Sequence, residues 1–166
     1  MKNFSRLSLL AAVVATLSTL SVSAIAATAT GTANATVLTP ITITAGTALN
    51  FGTLAGNASG GTVVVTAAGA RSTTGSAVVT SGTFSAGSFS LTGTGASTFG
   101  VTYPASFNVT SVAAGATPMA VTITGAATGA LSAGSVTLPV GGILTVGANQ
   151  IAGSYTGTYV MTVEYN

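Results

Sequence analysis

The chain has no cysteine, no histidine, no tryptophan and a single acidic side chain, Glu164, in 166 residues. Each absence removes a class of chemistry. Without cysteine there is no disulfide, no thiolate nucleophile and no lipid anchor on a cysteine. General acid–base catalysis draws on positioned His, Asp, Glu, Lys or Cys, and one carboxylate cannot form the pair used in glycoside hydrolysis. A serine triad and a zinc cluster lack their partners, and a calcium site built on carbonyls and one Glu has little to hold it. The only basic side chains are Lys2, Arg6 and Arg71, too few for a nucleic-acid-binding patch. The expectation is a protein that is not an enzyme and has no cofactor, no metal site and no nucleic-acid partner.

What is present begins with a targeting pattern. Lys2 and Arg6 form a basic start, residues 7–22 are apolar with scattered Ser and Thr, and Ala24-Ile25-Ala26 fits small-x-small cleavage. Residues 1–26 therefore read as a Sec-type signal peptide, placing the mature chain in the periplasm, at the cell surface or outside the cell. An uncleaved anchor is the alternative, because the apolar stretch approaches spanning length. After cleavage no integral membrane segment is expected. Roughly 140 residues remain, enough to bury one core. Cleavage also removes Lys2 and Arg6, leaving Arg71 and Glu164 as the only charges. Surface charge keeps proteins apart, and charged side chains guard exposed strand edges. This chain has almost neither protection.

Helical spacing is missing from the mature chain, where Ala is interleaved with Gly, Thr and Ser. Short alternating segments rich in Val, Ile, Thr, Phe and Tyr recur instead, separated by glycine-containing turns. Residues 27–36 form an extended arm or a first strand, and residues 37–166 form the domain. Residues 62–66 and 77–80 read as paired strands around a loop, 67–75, that carries Arg71. Phe89 and Leu91, Phe99 and Val101, Met119, Val121 and Ile123, and Val136, Leu138 and Val140 each share a face. Pro40 suits an edge or a bulge, and Pro139 points to an edge strand. Eight to ten short strands at regular spacing predict an all-β, antiparallel, Ig-like β-sandwich. Aromatics, at 6%, are too few for the girdles of an outer-membrane barrel. The Thr-x-Thr pairs lack the fixed period of a solenoid.

The last stretch, residues 153–166, is the clearest strand signal. Tyr155, Tyr159, Met161, Val163 and Tyr165 share one parity, while Thr156, Thr158, Thr162 and Glu164 share the other. The tyrosines read as core packing in preference to a sugar-stacking platform. Gly93-Thr94-Gly95 lacks the spacing of a nucleotide-binding loop and reads as a turn. Asn34-Ala35-Thr36, Asn57-Ala58-Ser59 and Asn108-Val109-Thr110 match the glycosylation pattern, as chance allows in a chain rich in Ser and Thr. Arg71 and Glu164 are either an ion pair or two independent charges.

Residues 35–53, 61–82, 89–105 and 138–166 resemble the bacterial domain-of-unknown-function family 4402. The similarity is densest over Leu144-Thr145-Val146-Gly147-Ala148-Asn149-Gln150, Gly153-Ser154-Tyr155-Thr156-Gly157 and the closing Val163-Glu164-Tyr165-Asn166. That family implies no activity and transfers no catalytic residue. Asn50-Phe51-Gly52 and the Gly153–Gly157 element resemble, more loosely, pilus subunits of the archaic, spore-coat-U-like chaperone–usher type. This second resemblance implies an incomplete sandwich finished by a neighbour's N-terminal strand, with self-association or chaperone and usher as partners. Ala29, Ala33, Ala35 and Val37 would line the donated arm, and residues 155–165 would be the assembly strand. Because that arm offers little beyond methyl groups, a self-complete sandwich stays open. The expected role is an exported structural or adhesive surface protein; the alternative is a stand-alone extracellular binding module with ligand-binding loops. Deleting residues 159–166 should abolish folding or export, as measured by secretion and circular dichroism, and a secreted, folded truncation would take this strand out of the core.

Overall fold

Alternation of large apolar with small polar residues yields strands throughout the described chain, which contains no helix. The structure is a computed structural model describing residues 25–80 and 82–166. The chain divides into Met1–Ala35 and Thr36–Asn166. In the first unit, residues 25–35 are exposed and form no strand. All but the last two residues of the expected signal peptide lie outside the described residues.

The second unit begins with β1 (Thr42–Ala45), β2 (Leu54–Ala55), β3 (Gly61–Val65), β4 (Arg71–Gly75), β5 (Val78–Val79) and β6 (Gly87–Thr92). β7 (Thr98–Thr102), β8 (Phe107–Val109), β9 (Met119–Gly125), β10 (Thr128–Ala130), β11 (Ser135–Val146) and β12 (Thr162–Tyr165) follow. Every ladder is antiparallel. Seven strands form one sheet around β11, β10-β7-β12 form a second, and β2 pairs with β5.

β11 is the longest strand, and three others pair with it. Its residues 135–140 pair with β6, and its residues 142–146 pair with β3. β9 pairs with residues 140–144, overlapping both ladders, so it takes the opposite edge and β6 and β3 share one edge end to end. The change of partner falls at Gly141-Gly142. A Cβ on Gly141 would stand 2.4 Å from the Val65 carbonyl oxygen, and one on Gly142 would meet the Leu49 side chain at 2.8 Å. Glycine lets the Val65 backbone come so close at Gly141 and leaves room for the Leu49 and Phe51 side chains at Gly142.

The inward residues of β11 join two apolar clusters. Val140, Leu144 and Val146 pack with Val63, Met119, Val121 and Ile123. Leu138 packs with Leu91, Phe99, Val101, Leu131 and Met161. Each such side chain contributes about 1.5–3 kcal/mol by leaving water. The parity expected for Phe99/Val101 and for Met119/Val121/Ile123 places all five in the core.

Two local expectations are corrected. The partner of β3 is β4, not residues 77–80: Thr66 N–H donates to the Ala70 carbonyl, Gly69 takes φ +82°, and the chain returns at once. Val78–Val79 reach β2 instead. Pro139 lies in the central strand, not an edge. It faces Ser88, whose backbone bonds Gly46 and Thr47 on the other side of β6, so the proline nitrogen turns away from β6. There the β9 ladder starts only at Val140, and no donor is missed. Pro40 does precede an edge strand, β1. Leu144→Ala should lower unfolding free energy by about 2–5 kcal/mol in urea titration, whereas Thr145→Ala, on the exposed face of the same strand, should stay within about 0.5 kcal/mol.

Candidate functional site

A groove of about 1120 Å³ lies between residues 45–56 and residues 150–159. Leu49, Phe51, Leu144, Val146, Tyr155 and Tyr159 give it an apolar lining. Its first wall is held by neighbouring segments. Gly46 N–H donates to Ser88 O at 2.9 Å, Asn50 and Ser85 exchange backbone bonds, and Thr80 N–H donates to Thr53 O. Arg71 reinforces this wall, donating from Nη1 to Phe51 O at 3.1 Å while its guanidinium lies 4.4 Å from the Phe84 ring centre. Such cation–π contacts contribute about 0.5–1 kcal/mol at exposed sites. Gly52, at φ +83°, sits where a Cβ would strike that guanidinium. Arg71 is thus committed to carbonyls and a ring, and Glu164, the other charge, stands on β12 opposite Gly100.

The second wall carries the same parity as the predicted closing strand. From Tyr155 to Tyr165 the odd residues except Gly157 are buried or half-buried, and the even ones are exposed, Val160 to 81%. Yet only Thr162–Tyr165 form a ladder. Upstream, a single bridge ties Thr156 to Thr110. Side chains supply the remaining anchors. Gln150 Nε2 donates to Thr117 O and to the Tyr155 hydroxyl, which itself donates to Ile151 O at 2.8 Å. The Tyr159 ring meets Phe107 at 5.1 Å and Phe89 at 6.0 Å. At one end the walls converge, where Asn149 N–H donates to Asn57 O and a Cβ on Gly56 would press on Gln150 O.

The five assembly-strand candidates therefore separate. Tyr155 and Tyr159 line the groove and pack on the first cluster, whereas Met161, Val163 and Tyr165 belong to the second. Tyr165 also accepts from Thr94 N–H and donates to Thr39 O, tying three distant segments together. Ala29, Ala33, Ala35 and Val37 are exposed and strandless. Of the glycosylation motifs, Asn57 is internally engaged: its Oδ1 accepts from Ser59 and Gly60 N–H groups, and its Nδ2 donates to Ser76 O. Glu164 lines a separate recess of about 240 Å³. Among the described residues no three His, Cys, Asp or Glu side chains gather. Asn50-Phe51-Gly52 and Gly153–Gly157, singled out by resemblance, lie one on each wall; that the walls meet was not legible, because residues 49–54 show no sustained alternation and Gln150 sits in an ordinary turn.

The sequence pattern of the domain of unknown function (DUF4402) matches residues 41–165. The chain belongs to that family. No curated protein and no solved structure matches it. The family's span covers β1 through β12, both groove walls included, and leaves residues 27–36 outside.

Burial raises the pKa of Tyr103; burial, and secondarily the charge of Tyr103, raise that of Tyr159. Both hold their protons above the usual value of 10.0. The unfolded chain releases these protons first, so stability is fully present below about pH 10 and falls as pH rises through the folded values. Urea midpoints on either side of about pH 10 should show that loss, and Tyr159→Phe should reduce it.

Proposed function

We propose that this DUF4402 protein is an exported structural or adhesive surface protein that catalyses nothing and assembles with other chains through open strand edges. In this reading the two apolar clusters belong to an Ig-like antiparallel sandwich with one strand position unfilled. The observation that carries it is the groove of about 1120 Å³, whose first wall bonds residues 80–88 and whose second wall, residues 150–159, has the single backbone bridge Thr156–Thr110. An extended segment laid between them would pair with both.

The occupant we assign is the N-terminal arm of a neighbouring copy, residues 27–37, which is exposed and without a strand in its own chain. Ala29, Ala33 and Ala35 bring few methylene equivalents at about 0.8 kcal/mol each. Backbone bonds, at about 0.5–1.5 kcal/mol net apiece, would therefore dominate the pairing. The low charge of the second unit, with Arg71 and Glu164 its only ionised side chains, leaves close approach of copies unopposed. Export by the residue 1–26 leader, with its cleavage, is part of the same proposal. Material from the native cell surface should run as a detergent-resistant ladder on unheated gel electrophoresis and collapse to one band on boiling; a clean monomer without heating would sink the polymer.

A further inference from the structure

Strand edges differ in how well they are guarded, and that difference singles out one of them. Among the described strands with a free side, β2, β5, β8 and β10 are only two or three residues long. Shortness is itself protection. β4 begins with Arg71 and ends on Gly75 at φ +69°, and β12 carries Glu164. β1, Thr-Ile-Thr-Ala, has neither charge nor glycine nor proline, and all four residues are exposed.

The ladder fixes which backbone groups β1 offers. Gly93 N–H donates to Gly134 O, continuing the β6–β11 register, so the odd residues of β6 bond β11. Its even residues bond the first strand, as Ser88 O does in accepting from Gly46 N–H. Thr42 and Thr44, opposite Thr92 and Ser90, are thus turned inward for bonding. The N–H and C=O of Ile43 and Ala45 point away from β6.

We infer that β1 is a homotypic interface, pairing antiparallel with β1 of a second copy about a two-fold axis at Ile43. This rests on the edge-assembly reading above and adds a contact that meets the groove only at Ala45. Three constraints select the register. Residues directly opposite in an antiparallel pair share a face, so a register joining the sheets without inverting them sets odd residues against odd. A two-fold contact is self-complementary. Centring on Ile43 sets Ile43 against its own counterpart and Ala45 against the second copy's Ile41, giving about six interchain bonds from outward-facing groups. Centring on Thr42 would bring in Thr39, whose N–H already donates to Thr94 Oγ1. The side chains agree: Ile43, 40% exposed and of the same parity as buried Leu91, would be covered by its counterpart. Thr42 and Thr44 would face each other across the axis, extending the exposed hydroxyl rows Thr42–Thr92–Ser135 and Thr44–Ser90–Thr137.

The native lack of cysteine makes this register directly readable. Directly opposed antiparallel Cα atoms lie about 4.5–5.5 Å apart, within disulfide reach. In the mature protein, Ile43→Cys should give a reductant-sensitive dimer on mild oxidation. Thr44→Cys, whose own counterpart lies on a diagonal at about 7–8 Å, should not. Ile43→Lys, which opposes like charges across the axis, should weaken the dimer by roughly tenfold or more in light scattering while circular dichroism is kept. If the wild type associates but oxidised Ile43→Cys stays monomeric, the β1 interface is wrong and edge assembly stands. If wild type and variants are all monomeric at every concentration, both fail.

Discussion

The hydrogen bonding of β11 on both edges is the constraint on which the rest depends. One strand receives β9 on one side and β6 followed by β3 on the other, so the main sheet is organised along a single segment. The two central glycines permit the exchange of partners without breaking the strand, because neither presents a Cβ to the chains that cross there. The same strand supplies side chains to both apolar clusters. The first cluster lies beneath the groove, so the strand that centres the sheet also supplies part of the groove's lining.

With so little charge, the fold relies on other anchors. Arg71 reaches across loops to carbonyls and a ring. Tyrosine hydroxyls do similar work at Ile151, Ala126 and Thr39. Threonine pairs such as Thr39–Thr94 and Thr42–Thr92 join neighbouring segments. These anchors are uncharged or singly charged, and they leave the surface with little of the repulsion that keeps most domains apart. In the assembly proposed above, self-association needs no special attractive patch; it needs only an edge that nothing protects.

Much of the core was legible beforehand because a period of two is a strong signal wherever one face is dry. Leu91, Phe99, Val101, Met119, Val121, Ile123, Leu138 and Val140 are all buried as their parity requires. Pairing was less legible. Residues 62–66 lie close in sequence to both 71–75 and 77–80, and only the left-handed turn at Gly69 decides for the nearer. Pro139 misled because proline reports a missing donor, not the side on which it is missing. The groove was the least legible feature, since its walls are two segments about a hundred residues apart, and neither is a continuous ladder.

Composition and parity by themselves determined the absence of helix among the described residues, the large buried side chains and the membership of one face along the closing stretch. Those properties are local: each depends on a residue and its near neighbours. Tertiary structure alone decided that β11 is central, that residues 157–161 alternate like a strand without joining a ladder, and that β1 turns the backbone of Ile43 outward. Backbone hydrogen-bond direction depends on which distant strand lies alongside, and side-chain patterns do not encode it.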